Sequence, residues 1–184
     1  MKEYNYKNRG MHLEKMINDS NTFYLNKDKA IIYKKPTPIK VLNVSYPSRK
    51  ATVINKAVFE GISTLDYNGI YKGKYIEFDA KETKSTTSFP LSNIKEHQLI
   101  HIKNIIRHDG IIFLIISMNN NFYLLDGKIL IDFINKNERQ SIPFDFIDKL
   151  PKIIEGYMPR LQYLKTVDEI YFKGEKKNEE VKLK

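Results

Sequence analysis

Strands and helices of ordinary length follow one another along this 184-residue chain, which predicts an α/β fold of the α+β kind. Three observations carry that expectation. Ile111 to Ile116 is an unbroken apolar run of strand length, as in a strand covered on both faces. Asp66 to Lys81 alternates polar and apolar residues about Lys72-Gly73, as in a β-hairpin. Asn93 and Glu96 have the spacing of a capping box, and the stripe Ile94, Gln98, His101, Ile102, Ile105 predicts a helix reaching His108 or Asp109, ended by Gly110.

The remaining elements are read in chain order. The polar, basic residues 1–9 form a mobile arm, and the spacing of Leu13, Met16 and Ile17 predicts a short helix from Gly10 to about Asn18, with Glu14 beside its apolar stripe. Ala30 to Tyr33 reads as a strand, broken by Pro36 and Pro38 and resumed over Ile39 to Val44. Tyr46 to Phe59 is ambiguous between helix and strand and carries Arg49, Lys50 and Lys56, so it reads as a basic protrusion or an ordinary surface excursion. Thr83 to Leu91 is a polar loop. Phe122 to Leu125 pairs with the apolar run through Asn119-Asn120-Asn121, and helices follow over Gly127 to Ile134 and Pro143 to Leu150. Pro159-Arg160 opens a last extended or mixed stretch, and residues 173–184 form a charged, disordered tail. The expected organisation is one domain over residues 10–172, between the arm and the tail.

Bulk properties narrow the function. A net charge of +9 points to a polyanionic partner such as nucleic acid, although the abundance of Lys, Ile and Asn is also what an AT-rich genome produces. The absence of cysteine excludes disulfides and thiolate metal sites, and with no signal peptide or membrane-length apolar run the expected location is the cytoplasm. No phosphate-binding GxxxxGK[ST] loop, GxGxxG fingerprint, HExxH pair or internal repeat is present.

The hairpin carries the chemistry. A turn at Lys72-Gly73 sets Tyr71 opposite Lys74 and, counting outward, Asp66 opposite Asp79. The dipeptide Asn68-Gly69 is the stronger hairpin signal in isolation, but a turn there leaves Lys74 to Glu82 without a partner of matching length. Opposed like charges destabilise a sheet unless a positive group lies between them, and a divalent metal is the obvious candidate. Glu77, Asp79 and Lys81 share one face of their strand, while Ile76, Phe78 and Ala80 share the other. Two carboxylates with further oxygen donors suit magnesium, which activates water and neutralises a scissile phosphate, and Lys81 would stabilise the negative charge that grows in the transition state. The competing reading is a mixed-charge surface hairpin. Gln98, on the inner stripe of the following helix, either hydrogen-bonds backbone or reaches a polar site.

Several segments also resemble one known family. Asn8-Arg9-Gly10-Met11 with Leu13-Glu14, Ile32-Tyr33-Lys34-Lys35-Pro36-Thr37-Pro38-Ile39, Tyr46-Pro47, Asp66 to Gly73, Ala80-Lys81-Glu82-Thr83, His97-Gln98, Pro159-Arg160 and Tyr163-Leu164 occur in order and resemble the RecU family of Holliday junction resolvases. The resemblance implies a restriction-endonuclease-like core of the PD-(D/E)xK class, with a mixed central sheet flanked by helices and a protruding basic stalk at about residues 46–59. It implies a homodimer that makes paired, Mg2+-dependent nicks in four-way junction DNA, with Mn2+ as a substitute, alongside other recombination proteins and without a membrane.

Carried over residue by residue, the metal ligands fall on Thr64, Asp66, Asp79 and Gln98 and the catalytic lysine on Lys81. Glu14 falls where related resolvases have a helical glutamate near the metal. Arg9, Arg49, Lys50 and Lys56 are the expected DNA contacts. Two departures stand out: the family usually has Glu at the position of Asp79, and commonly Thr at that of Leu65. The shorter Asp79 leaves open weakened or manganese-favouring catalysis, and with it a junction-binding accessory without nuclease activity. A sequence-specific nuclease on the same scaffold is a third reading.

Overall fold

The computed structural model describes residues 9–48, 51–59, 61 and 64–173. In chain order the elements are α1 (Arg9–Asn26), β1 (Ile31–Lys34), β2 (Ile39–Ser48), β3 (Ala51–Phe59), β4 (Tyr67–Tyr71), β5 (Lys74–Glu82), β6 (Ser88–Pro90), α2 (Glu96–Arg107), β7 (Ile111–Met118), β8 (Asn121–Asp126), α3 (Gly127–Lys136), β9 (Ser141–Pro143), α4 (Phe144–Ile147), β10 (Lys152–Ile153) and α5 (Tyr163–Tyr171). Six strands form the central sheet in the order β1-β4-β5-β7-β8-β10. It is a mixed sheet: β5 and β7 run parallel, joined by the crossover that contains α2, and every other pairing is antiparallel.

Both faces of this sheet are covered, as the apolar run of β7 requires. On one face α1 and α5 pack against Ile76, Phe78, Phe113 and Ile115. On the other, α2, α3 and α4 cover Ile112, Leu114, Ile116 and Leu125. Phe78 stacks between Tyr67 and Phe113, with ring centroids 4.9 and 4.8 Å away, and so ties β4, β5 and β7 together at the middle of the sheet.

The β4–β5 hairpin turns at Lys72-Gly73, and Tyr71 pairs with Lys74 as the register argument requires. Both turn residues have positive φ, 48° and 73°, the requirement of the tight turn that matches strand twist. Asn68-Gly69 instead lies inside β4, where β1 crosses so closely that a Cβ on Gly69 would fall 1.9 Å from the Ile31 carbonyl oxygen.

Four expectations are corrected in extent or type. Helix α1 continues past Asn18 to Asn26, and its inner face there buries Tyr24 together with the polar Ser20 and Asn21. The Ser20 hydroxyl accepts from the Leu161 N–H at 2.8 Å, and Asn21 accepts from the Tyr163 hydroxyl. Helix α2 starts at Glu96, with Lys95 as its N-cap residue and the Gln98 side chain accepting from the Lys95 N–H, rather than capped by Asn93 with Glu96, since Leu91 to Asn93 forms a separate 3-10 turn. Ser141–Pro143 pairs as a strand with Ser88–Pro90, shortening the helix expected from Pro143 to Phe144–Ile147. The last stretch is helical over Tyr163–Tyr171, with Tyr163, Leu164 and Val167 buried against the sheet.

The ambiguous segment resolves as strand. Val41, Val44, Val53 and Val58 belong to a two-stranded hairpin, β2–β3, that joins no other strand and has exposed residues along most of its length. β-branched residues suit such a pair, and bulges between Val41 and Ser48 interrupt its register. Among the described residues no helix is long and apolar enough to cross a membrane.

Candidate active site

The site forms where β4 and β5 leave their ladder. The last paired residues are Tyr67 and Phe78, so Asp66 and Asp79 stand one step further along the same register. Asp66 is held from the opposite side by the residue that follows β1: the Lys35 N–H donates to its carbonyl at 2.7 Å. Asp79 lies inside the sheet with 1% of its surface exposed. Its Oδ2 accepts from Lys81 Nζ at 2.7 Å and from Gln98 Nε2 at 3.0 Å. Its Oδ1 is buried and has no hydrogen-bond partner.

That unpaired oxygen matters because a buried acceptor is costly to leave unsatisfied. Its neighbour shows the same strain in its proton affinity. Burial, followed by the charge of Asp79 and the hydrogen bond that a protonated Asp66 would make to it, pushes the Asp66 carboxyl above its ordinary pKa, while Lys81 and Lys34 oppose the shift. A cation between the two aspartates would relieve both effects, so the residues present fit a divalent metal. Among the described residues no three His, Cys, Asp or Glu side chains gather at metal-binding distance, so such an ion would keep much of its shell as water or neutral oxygens, the habit of magnesium.

Gln98 is oriented at the start of α2 by its own capping bond: its Oε1 accepts from the Lys95 N–H at 3.1 Å. The amide nitrogen bridges Asp79 Oδ2 and the Thr64 carbonyl, each at 3.0 Å. Lys81 Nζ lies 3.5 Å from the amide oxygen. The Thr64 hydroxyl turns toward a second carboxylate, accepting from Lys35 Nζ at 2.6 Å and donating to Glu77 Oε1 at 3.1 Å. Thr64, Asp66, Asp79, Lys81 and Gln98 are thus brought together. Glu14 adjoins them through Lys34, with which it pairs at 2.5 Å near the surface.

Of the basic residues expected to meet DNA, Lys56 is exposed on β3. Arg49, Lys50 and the side chain of Arg9 lie outside the described residues, as do the arm and nearly all of the tail. Leu65, where the resembled family commonly has Thr, is fully buried in the apolar cluster under α2 and leaves the polar site untouched.

Glu77 was given no role by its sequence context. It is fully buried on the Asp79 face of β5, paired with Lys35 and hydrogen-bonded by Tyr75 Oη at 2.7 Å and His101 Nε2 at 2.8 Å. Burial pushes its carboxyl up, but the hydrogen bonds from Lys35, His101 and Tyr75 and the lysine's charge outweigh this and hold it below the ordinary Glu range. The available signal was the position itself, since a glutamate in a strand covered on both faces must find donors.

A mixed sheet with two facing aspartates at the end of a hairpin, and a lysine two residues beyond the second, is the arrangement of the restriction-endonuclease-like nucleases. The comparisons agree. The model of the family Recombination protein U matches residues 8–169. Proteins named Holliday junction resolvase RecU are similar to the chain over most of its length. The one from Oceanobacillus iheyensis is 50% identical over 173 residues, 91% of this chain and 88% of its own. Those from Bacillus cytotoxicus and Bacillus mycoides are 47% and 46% identical over 178 residues, 94% of this chain and 89% of theirs. The chain belongs to the RecU family.

Proposed function

We propose that this protein is a structure-specific endonuclease that resolves four-way DNA junctions in recombination and repair by metal-dependent hydrolysis of phosphodiester bonds. The observation that carries the reading is the buried Oδ1 of Asp79, unpaired next to Asp66, with Lys81 on the other carboxylate oxygen at 2.7 Å. The names of the similar proteins support the choice of substrate.

Asp66 and Asp79 would hold Mg2+, or Mn2+ in its place, with oxygens of Thr64 and Gln98 as further donors. Ligation through the Gln98 oxygen would exchange the bond its amide nitrogen now makes to Asp79. The ion supplies the activation of water and the neutralisation of the phosphate when bound. Lys81 offers its ammonium to the charge that develops on the phosphoryl oxygens, and Asp79 and Gln98 hold that ammonium in place beforehand. Glu14 and Lys34 flank the entrance as an ion pair. Leu114, the neighbour of Asp79 across the sheet, and Leu65, next to Asp66 in sequence, are buried in the apolar cluster under α2, which would limit water on that side.

The substrate has two related strands to cut, and one site per protomer reaches both in a homodimer about a two-fold axis. The β2–β3 hairpin, with Lys56 on its exposed surface and Arg49 and Lys50 between its strands in sequence, is the stalk that enters the junction; Arg9 adds a contact from the start of α1. The domain is residues 10–172, and the location is the cytoplasm.

The test is a synthetic four-way junction incubated with purified protein and each metal. Paired nicks are expected, with Asp66→Asn and Lys81→Ala binding the junction without cutting it. Binding without cleavage by the unaltered protein under both metals would instead assign a non-catalytic accessory role. Equal cleavage of linear duplex would remove the junction specificity.

A further inference from the structure

We propose that Glu77 and Lys35 form a positioning clamp that holds the Thr64–Asp66 segment in register with Asp79. The inference deepens the metal-site reading above and rests on it.

Asp66 lies outside the β4–β5 ladder, so strand pairing does not fix it. What fixes it is a set of bonds converging on the three residues 64–66. Glu77 Oε1 accepts from the Leu65 N–H at 3.3 Å and from the Thr64 hydroxyl at 3.1 Å. Lys35 holds the segment at both ends, through its N–H to the Asp66 carbonyl at 2.7 Å and its Nζ to the Thr64 hydroxyl at 2.6 Å. The two clamp residues are themselves an ion pair. The other carboxylate oxygen, Oε2, is occupied by Tyr75 and His101, which leaves the carboxylate no free rotation. Leu65 between the two polar contacts is buried in the core.

Glu77 and Asp79 are therefore different in kind although both are buried on one face of one strand. Glu77 receives five donors, from Lys35, Thr64, Leu65, Tyr75 and His101, and has nothing left for a metal. Asp79 keeps one oxygen unpaired. The first carboxylate is an anchor and the second a ligand. An outer partner of this sort typically changes metal affinity or activity by about 10- to 100-fold.

The experiment titrates Mn2+ into the full-length protein, with free Mn2+ read by electron paramagnetic resonance, and measures amide hydrogen exchange of Leu65 without metal. Glu77→Gln is expected to weaken Mn2+ binding by about tenfold or more and to speed Leu65 exchange, with junction binding in chelator unchanged. The double variant Glu77→Gln with Lys35→Met removes both charges and is expected to regain thermal stability without regaining Mn2+ affinity. His101→Gln and Tyr75→Phe, at partly exposed positions, should each weaken Mn2+ binding by a smaller factor and supply the answer if Glu77→Gln does not fold. Wild-type Mn2+ affinity in the folded variants, with only the melting temperature lowered, would overturn the clamp and leave Glu77 a structural residue. Failure of the unaltered protein itself to bind Mn2+ would overturn the metal site, and the clamp with it; that outcome is seen before any variant is made.

Discussion

Lys81 Nζ donates to Asp79 Oδ2 at 2.7 Å, a pair in which the aspartate is almost wholly buried and the lysine side chain keeps 19% of its surface exposed. Two residues apart on β5, they point to the same side, and the exposed end of the lysine is where a phosphate would arrive. The pair holds the cation at the mouth of the site before substrate binds, which is how preorganised charge lowers a barrier.

Replacing Lys81 by Ala removes that charge. Junction cleavage should fall by roughly a hundredfold to a thousandfold while junction binding in chelator persists. Single-turnover cleavage and gel-shift measurements on one preparation separate the two quantities.

Asp66 gives a stability prediction with a definite sign. Its folded-state pKa is raised, so its contribution is fully present below the unfolded value and is lost as pH rises through the folded one. In the absence of metal, Asp66→Asn should therefore melt at a higher temperature than the unaltered protein at neutral pH, and the difference should vanish in acid. Added Mn2+ should reverse the order at neutral pH, because only the aspartate gains from the ion. Thermal melts across pH, with and without metal, check both.

Asp79→Glu moves the carboxylate outward by one methylene, to the length usual in the resembled family. A change of that size in a reacting group's position is worth up to about a hundredfold in rate. The Mg2+-supported rate should rise relative to the Mn2+-supported rate. The ratio of cleavage rates under the two ions is the measurement, and an unchanged ratio would remove chain length as the cause of any metal preference.

Gly69 tests the fold. Any Cβ there would overlap the Ile31 carbonyl, so Gly69→Ala must push β1 away from β4. A loss of about 3 kcal/mol in urea unfolding is expected, the upper end of ordinary overpacking. Because Lys35 directly follows β1, Mn2+ binding should weaken in the folded fraction as well.

Lys56 tests the stalk. It is exposed on β3, in a two-stranded sheet separate from the one that carries the carboxylates, so Lys56→Ala should weaken junction binding and lower the salt dependence by about one unit of slope if it meets a phosphate. Cleavage at saturating protein should be unaffected.

The hairpin register was legible from sequence alone. It depends on local quantities, a tight turn at Lys72-Gly73 and the two-residue period of side chains, and these place Asp66 opposite Asp79 without reference to the rest of the chain. The apolar run of β7 was legible for the same reason. The spacing of Leu13, Met16 and Ile17 carries α1 only to about Asn18; beyond it Ser20 and Asn21 are inner residues through partners at Leu161 and Tyr163, more than a hundred residues away, which no local pattern shows. The spacing of Asn93 and Glu96 does not cap α2, because Leu91 to Asn93 closes in a 3-10 turn of its own and the Gln98 side chain, packed against Asp79, accepts from the Lys95 N–H instead.

Which carboxylates face each other follows from turn chemistry and strand period, which act over a few residues. What surrounds each carboxylate depends on long-range packing. Glu77 and Asp79 are equivalent by alternation, and their difference comes from what β1, α2 and the Thr64–Leu65 backbone bring to them: five donors to one, an unpaired oxygen to the other.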